Sequence, residues 1–258
     1  MIVQRVNAER VVLLGWSRAI LMQLAHPLIA AGVIDHSSFR GSALDAAVRL
    51  HHTVAAMLSL TFGDEERRAA ALAGIRAIHR RVNGTIQRAV GRFPAGTPYS
   101  AEDPALLLWV HATLVDSNTD VYQRVVAPLT DDELDRVCLE SAPILEELGG
   151  DPSTTPRSWK ALRSYMESIY ASNTLVLTDE ARALGLAVLS PRAAGLPVPL
   201  SGMHRLIATG LLPPGIRDAY GFKWNAARET RFHRALMTFR VARRLAPRAI
   251  AYWPQARR

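Results

Sequence analysis

The spacing of apolar residues is the feature that most restricts the fold of this chain. Apolar side chains recur at intervals of three and four residues along most of the sequence, whereas strict alternation of apolar and polar residues is scarce. Intervals of three and four place side chains on one face of an α-helix, and alternation would be expected of a half-buried strand. The sequence therefore predicts an all-α fold in which each helix buries one apolar stripe.

Capping signals predict where these helices begin and end. Helices are predicted from Asn7 to about Ala25, from Asp45 to Phe62 and from Asp64 to Gly84. Hydroxyl side chains can accept hydrogen bonds from the free N–H groups of a first turn. On that ground, further helices are predicted to open at Ser100, Thr130, Thr155 and Thr178. Residues 84–99, rich in glycine and proline, are predicted to form a loop, and the prolines of 190–199 mark a connector.

A single domain is predicted for residues 1–258. The length fits one large domain, and the segments on both sides of the 190–199 connector are helical in pattern. Cys138 is the only cysteine, so the chain can form no internal disulfide, no iron–sulfur site and no covalently attached c-type haem. A lone thiol fits a reducing compartment, and we expect a cytoplasmic location. The sequence does not indicate the oligomeric state.

The formal net charge is +8, and arginines crowd near the C-terminus. This cluster consists of Arg240, Arg243, Arg244, Arg248, Arg257 and Arg258. Such a cluster can contact nucleic acid or anionic lipid, or it can be a solvated helix face with a frayed tail, which we favour. We expect no nucleic-acid partner, because no recognised motif accompanies the charge.

The longest apolar run, residues 19–34, is interrupted by polar residues and proline, so no spanning segment is predicted, while peripheral membrane contact stays open.

One histidine shares a stripe with apolar residues on the third predicted helix. Leu72, Ile75, His79 and Val82 are spaced three, four and three apart, so His79 is predicted to point inward. A buried imidazole needs a partner for each ring nitrogen. A hydrogen-bonded core histidine is the commoner explanation of such a pattern, and a metal ligand is the alternative.

The second predicted helix carries polar residues on one face. The spacing of this face, formed by Arg49, His52, Thr53 and Ala56, can place a cation, an imidazole and a hydroxyl side by side. Such a set can bind an anionic group and an oxygen ligand. It can equally be a helix face that is exposed to water. His26, His36 and His111 also lie on or next to apolar segments, while HExxH, Gly-x-Ser-x-Gly and phosphate-loop motifs are absent. Haem b, which needs one histidine ligand, an apolar pocket and cations for its propionates, is one cofactor that fits.

Several segments, in order, resemble one known family. They are QLAHPLIAAGV at 23–33, Asp35-His36-Ser37, RLHHT at 49–53, Thr61-Phe62-Gly63, IHRRVNG at 78–84, YSAEDP at 99–104 and WVHAT at 109–113. Together they are similar to the family of MpaB and the rubber oxygenases (latex clearing proteins). The resemblance implies a globin-like helical core around haem b and an oxygenase that uses dioxygen.

The resemblance also implies roles for individual residues. His79 falls where the rubber oxygenases have the histidine that binds iron, and Arg49 and Thr53 keep the spacing of an arginine and a threonine beside the haem. Arg80, His26 and His111 are further candidates for contact with the cofactor.

Two departures from the family pattern bear on catalysis. His52 replaces a lysine that can close the distal site, and the catalytic glutamate has no clean counterpart, although Asp35 and His36 lie nearby. We therefore take Asp35, His36, His52 and Thr53 as catalytic candidates, and an apolar, isoprenoid or lipid-like molecule other than rubber as substrate. The alternatives are a haem protein that senses or stores without catalysis, and a structural helical protein.

Overall fold

The structure is a computed structural model that describes residues 1–36, 43–189 and 198–257, with side chains except those of 43–51 and 198–201. Its first part contains α1 (Ile2–Asn7), a 3₁₀ helix (Arg10–Gly15), α2 (Trp16–Leu24), α3 (Pro27–His36), α4 (Ala43–Phe62) and α5 (Glu65–His79). Then come strands β1 (Asn83–Thr85) and β2 (Pro98–Ser100), followed by α6 (Pro104–Val125), α7 (Asp131–Glu147), α8 (Trp159–Ala171) and α9 (Asp179–Val188). The last part contains α10 (Val198–Leu211), α11 (Pro214–Ala219), α12 (Ala226–Leu245), α13 (Arg248–Ala251) and a 3₁₀ turn (Pro254–Arg257). The predominance of helix confirms the predicted all-α class, whereas the globin-like core stays a prediction.

Of the four helix starts predicted at hydroxyl residues, two are confirmed and two are wrong. Thr130 forms a capping box with Glu133, and Thr178 caps α9. Asp103 rather than Ser100 caps α6, because the Ser100 hydroxyl accepts from Glu102 N and Pro104, which has no N–H, suits the first helical position. Ser158 rather than Thr155 caps α8, because the Thr155 hydroxyl donates back to the Asp151 carbonyl within a turn.

The predicted helix from Asn7 to Ala25 is broken in the structure. α1 ends at Asn7, Glu9 adopts an extended backbone, and a 3₁₀ helix precedes α2. Gly15 lies so close to α6 that a Cβ there would be 2.6 Å from the Ser117 carbonyl oxygen. This tertiary contact favours the tighter 3₁₀ path, and the local sequence gives no sign of it.

The segment predicted as a loop between residues 84 and 99 contains a small antiparallel hairpin. Asn83 pairs with Ser100, Gly84 with Tyr99 and Thr85 with Pro98. Three-residue strands are too short to display an alternating pattern, so periodicity could not reveal them. The predicted connector at 190–199 lies mostly outside the described residues.

The long helix α6 lies against the 3₁₀ helix, α2, α7 and α12, and it carries the largest buried side chain. Trp109 is 1% exposed and donates to the Met22 carbonyl at 3.3 Å. Leu21, Met22, Leu162 and other apolar residues pack around it in one core cluster. Burial of Cys138 in this cluster raises the pKa of its thiol to about 12, so the thiolate is disfavoured.

A buried ion pair ties three helices together. The Arg18 guanidinium lies 2.6 Å from the Asp116 carboxylate and also donates to the Ser117 hydroxyl and the Leu211 carbonyl, both at 2.7 Å. Arg18 is 5% and Asp116 2% exposed. Asp116 has a second cation in Arg163, at 3.3 Å. The fork of Arg18 therefore joins α2 to α6 and to the last turn of α10.

In the ranges that the structure describes, no single helix is long and apolar enough to cross a membrane. Only the segments Arg10–Leu24 and Pro27–His36 taken together have the required length and composition, and they are bent by 103° relative to each other.

Candidate functional site

Helices α4 and α5 form an antiparallel pair joined by a tight turn. Gly63 N donates to the Ser59 carbonyl at 3.0 Å, and a Cβ at Gly63 would collide with that carbonyl, so glycine is required. Asp64 caps α5 by accepting from Arg67 N at 2.9 Å. The turn and the cap fix the two helices side by side with opposite directions.

An open apolar groove lies between these two helices. It has a volume of about 420 Å³. Its lining is made mainly of small and aliphatic side chains: Ala55, Ala56 and Ser59 from α4, and Arg67, Ala70, Ala71, Gly74, Ile75 and Ile78 from α5. Ile78 is 63% exposed, and a Cβ at Gly74 would meet no atom within 4 Å. An exposed apolar concavity of this kind is typical of a ligand site.

Two histidines lie just beyond the lining residues at one end of the groove. His79 follows Ile75 by four residues, and His52 precedes Ala55 and Ala56 by three and four, so each imidazole continues its helix's lining stripe. The turn at Gly63 lies at the other end, beside Ser59 and Arg67. Because the helices are antiparallel, His52 and His79 belong to the same end of the groove. His52 is exposed and His79 is half-buried.

The stripe that contains His79 is half-buried, which corrects the predicted core stripe. Leu72, Ile75, His79 and Val82 are all only partly exposed, and none of the residues of α5 is fully buried. Ile75 lines the open groove, whereas Val82 lies beyond the end of the helix. Nδ1 of His79 is buried and has no hydrogen-bond partner among the described residues. Desolvation lowers the pKa of this imidazole, partly opposed by the charge of Glu102. A neutral imidazole with an unsatisfied nitrogen can bind a metal ion.

His26 is a second neutral histidine in this region of the molecule. It is 6% exposed, its Nδ1 is also buried without a partner in the described chain, and its ring lies 5.5 Å from that of Phe93. Burial lowers its pKa to about 4, partly opposed by Asp103. Since Glu102 acts on His79 and the adjacent Asp103 acts on His26, both imidazoles lie near the start of α6.

Asp35 and His36 meet at a tyrosine that sequence reasoning assigned no role. The Tyr99 hydroxyl donates to the Asp35 carboxylate at 2.5 Å and lies 3.3 Å from Nε2 of His36. The same Nε2 is 2.9 Å from the carbonyl of Asn83, four residues after His79. Desolvation, reinforced by Asp35, raises the pKa of the Tyr99 phenol. The available signal was glycine at 84, since a Cβ there would lie 2.6 Å from the Tyr99 hydroxyl oxygen.

The remaining predicted site residues lie in different places. Thr53 is exposed on α4, and the side chain of Arg49 lies outside the described ones. Arg80 is exposed and ends α5, where its carbonyl accepts from Asn83 Nδ2. His111 lies between α6 and α7, 3.3 Å from the Ser141 hydroxyl, and burial lowers its pKa to about 4. The groove lining does not include His111.

The described residues contain no group of three or more His, Cys, Asp or Glu side chains that could hold a metal ion by themselves. A site with a single histidine and a cofactor that supplies the other ligands needs no such group. A cofactor bound here would therefore take a single histidine ligand from the protein.

Comparison with known proteins places this chain in a family. A family model described as "ER-bound oxygenase mpaB/B'/Rubber oxygenase, catalytic domain" matches residues 3–242. The chain belongs to the mpaB/rubber oxygenase catalytic-domain family. This confirms the family predicted from the ordered segments, and the match extends well beyond them. The family is one of oxygenase catalytic domains, which supports oxygenase activity in the broad sense.

Two curated proteins are similar over most of this family domain. They come from Mycobacterium bovis and Mycobacterium tuberculosis, and both are named as uncharacterized. Each is 28% identical over 233 residues, which covers 88% of this chain and 87% of the relative. No solved structure matches the chain.

Proposed function

We propose that this protein is a haem b-dependent oxygenase that uses dioxygen to oxidise an apolar substrate of isoprenoid or lipid-like type. The observation that carries the proposal is the half-buried imidazole of His79, whose Nδ1 has no partner among the described residues, four residues after Ile75 of the apolar α4–α5 groove, in a chain that belongs to an oxygenase family. Haem supplies the dioxygen chemistry that amino-acid side chains lack.

The residues of the groove fit a flat apolar group. Alanines and Gly74 keep the walls shallow, and Ile75 and Ile78 supply apolar contact. His79 is neutral near pH 7 because burial lowers its pKa, and only neutral imidazole can ligate iron. Exposed Arg80 beyond His79 offers a cation for a propionate carboxylate, in addition to the predicted Arg49.

The other residues have supporting roles in this proposal. The aliphatic lining holds the apolar substrate and excludes water from it. His52 and Thr53 lie on the side of α4 that continues the groove and can donate hydrogen bonds to an oxygen ligand. The hydrogen bond from Tyr99 to Asp35 fixes the end of α3 against the segment that follows His79. Asp35 and His36 are the candidates for moving a proton.

One observation favours a second candidate, a haem protein that senses or stores without catalysis. His52 and His79 belong to the same end of the groove, so both imidazoles could hold the same haem iron. That arrangement would leave no position for dioxygen. We favour a vacant position, with His52 as a hydrogen-bond donor.

Haem loading of variants tests the proposal. The purified protein, reconstituted with haem b, is expected to show a Soret band that is lost in His79→Ala. His204→Ala is the matched control: His204 is also half-buried with an unpartnered Nδ1 in the described chain, but its other nitrogen bonds to Ser17 in α2. Loss of the band in His26→Ala and its retention in His79→Ala would move the ligand to His26. No Soret band in the parent would refute haem binding.

Spin state and turnover separate the two candidates. We expect the ferric parent to be high-spin or water-bound by electron paramagnetic resonance, and His52→Ala to leave that state unchanged. Oxygen uptake in the presence of a reductant and an isoprenoid substrate should exceed uptake without substrate. A pure low-spin signal that His52→Ala converts to high-spin, together with no substrate-dependent uptake, would favour the sensor or storage role.

A further inference from the structure

The net positive charge of the chain is confined to its C-terminal end. The sequence has 31 lysine and arginine residues and 23 acidic ones. Eight of the arginines follow Glu229, where there is no acidic residue and no lysine. The other 23 basic residues equal the acidic ones in number, so the chain up to that point is balanced. The excess charge of +8 therefore belongs to α12 and the segment after it.

Helix α12 has two apolar faces, and the described part of the chain covers one of them. Phe232, Ala235 and Leu236 are buried against α6 and α10. On the opposite face, Met237, Val241 and Leu245 are 56%, 50% and 78% exposed. Val241 follows Phe232 by nine residues, which places it about 180° away at 100° per residue. These three residues, four apart, form a stripe along the outer side of the helix.

Arginines border this outer stripe. Arg231, Arg234 and Arg244 are exposed on α12, and Arg248 is exposed at the start of α13 beside Ile250, which is itself 63% exposed. Arg243, by contrast, turns inward to an ion pair with Glu9 and a hydrogen bond with Tyr252. The outer face thus combines aliphatic side chains with cations that point to solvent.

We propose that the outer face of α12, with the start of α13, docks the protein on an anionic lipid surface. A helix with an aliphatic stripe bordered by arginines can bury the stripe at the level of the headgroups while the guanidinium groups pair with lipid phosphates. With 20 residues, α12 is about 30 Å long and lies parallel to such a surface. The proposal does not depend on haem.

The same residues argue against two other occupants. A second copy of this chain would bring one arginine cluster against another in a two-fold interface, and like charges repel. A nucleic acid would satisfy the arginines, but its phosphates offer nothing to the exposed Met237, Val241 and Leu245. Only a partner that is both anionic and apolar uses the whole face.

Vesicle sedimentation with the full chain tests the proposal. Vesicles are made of phosphatidylcholine alone or of an equimolar mixture with phosphatidylglycerol. We expect the protein to bind the mixed vesicles and to bind the neutral ones much more weakly, with salt reducing the difference. Arg234→Gln with Arg244→Gln should weaken binding to mixed vesicles about 25-fold, since each basic residue near an anionic surface contributes about fivefold. The control Arg88→Gln with Arg136→Gln removes two exposed charges elsewhere and should have little effect.

A second pair of variants isolates the aliphatic stripe. Val241→Gln with Leu245→Gln should weaken binding to mixed vesicles at least about tenfold, because it removes the groups that enter the apolar layer. Leu139→Gln is the matched control, because Leu139 on α7 is 50% exposed, as Val241 is. All these positions are at the surface, and circular dichroism should show unchanged helix content.

Three outcomes would overturn the proposal. One is the absence of binding to mixed vesicles, or equal binding to neutral and mixed vesicles. Another is tight binding of duplex DNA that the arginine variants weaken and the aliphatic variants do not, without vesicle binding. A third is a dimer in solution that Val241→Gln with Leu245→Gln converts to monomer, again without vesicle binding.

Discussion

Replacement of Arg18 by methionine should cost the fold about 3 kcal/mol. The change removes the ion pair with Asp116 and the hydrogen bonds to Ser117 and the Leu211 carbonyl, and it leaves the Asp116 carboxylate 2% exposed. Loss of one partner from a buried pair costs about 3–5 kcal/mol because the other charge stays buried. The low end applies here, since Arg163 remains 3.3 Å from the same carboxylate. Methionine fills most of the space of the arginine stem.

Scanning calorimetry measures this cost. For a chain of this size, each kcal/mol shifts the melting temperature by about 2–4 °C, so a decrease of about 6–12 °C is expected. Arg157→Met is the matched control: Arg157 pairs with Glu146 at 2.6 Å but is 47% exposed, and a surface pair contributes less than about 1 kcal/mol. Adding Asp116→Asn to Arg18→Met should recover part of the loss, because no charge is then left buried.

Two results would refute this reasoning about Arg18. The first is a decrease for Arg18→Met no larger than that of the Arg157 control, which would mean that water reaches Asp116. The second is a double variant less stable than Arg18→Met alone, which would mean that the unpaired charge is not what makes the single change costly.

Three further predictions concern stability. Burial lowers the pKa of His26 and His111 from 6.5 to about 4, so the unfolded chain takes up protons first as the pH falls. The free energy of unfolding should therefore be at its full value above about pH 6.5 and decline towards pH 4, by at most about 2 kcal/mol per histidine at pH 5. Urea unfolding should show a smaller decline in His111→Phe than in the parent. Tyr99→Phe removes a hydrogen bond to the exposed carboxylate of Asp35 and should cost about 1.5 kcal/mol in the same assay; no loss would mean that water replaces the hydroxyl. Thr130→Ala removes the capping box of α7 and should cost about 1 kcal/mol, whereas an unchanged urea midpoint would contradict the role of the cap.

The sequence predicted those elements whose signals are local. Thr130 and Thr178 cap helices because each hydroxyl lies next to the N–H groups that it satisfies. The 3₁₀ helix before α2 was missed because the approach of Gly15 to Ser117 joins residues about a hundred positions apart. The pair of Arg18 and Asp116 was missed for the same reason, since nothing near either residue marks its partner.

The candidate site was predictable in its residues but not in its surroundings. Helical spacing correctly grouped His79 with Ile75 on α5, whereas Val82 lies beyond the end of the helix. Spacing cannot distinguish a core from an open groove, and these residues are half-buried. Tyr99, which joins Asp35 and His36, belongs to a short strand that periodicity does not detect. The spacing of four between Arg49 and Thr53 is a property of the sequence, and their roles stay predictions.

The absence of any fully buried residue in α5 has a consequence for local opening. Besides its contact with α4, the helix is held by Arg68 and Arg76, which both bond to Glu147, and most of its residues are exposed to water. Amide protons of such a helix exchange through opening of the hairpin rather than through unfolding of the core, so α5 should exchange much faster than α6. Trypsin should cleave first at arginines of α5, and a group that fills the groove should slow both processes together, because it would give the hairpin the packed interior that its own side chains do not provide.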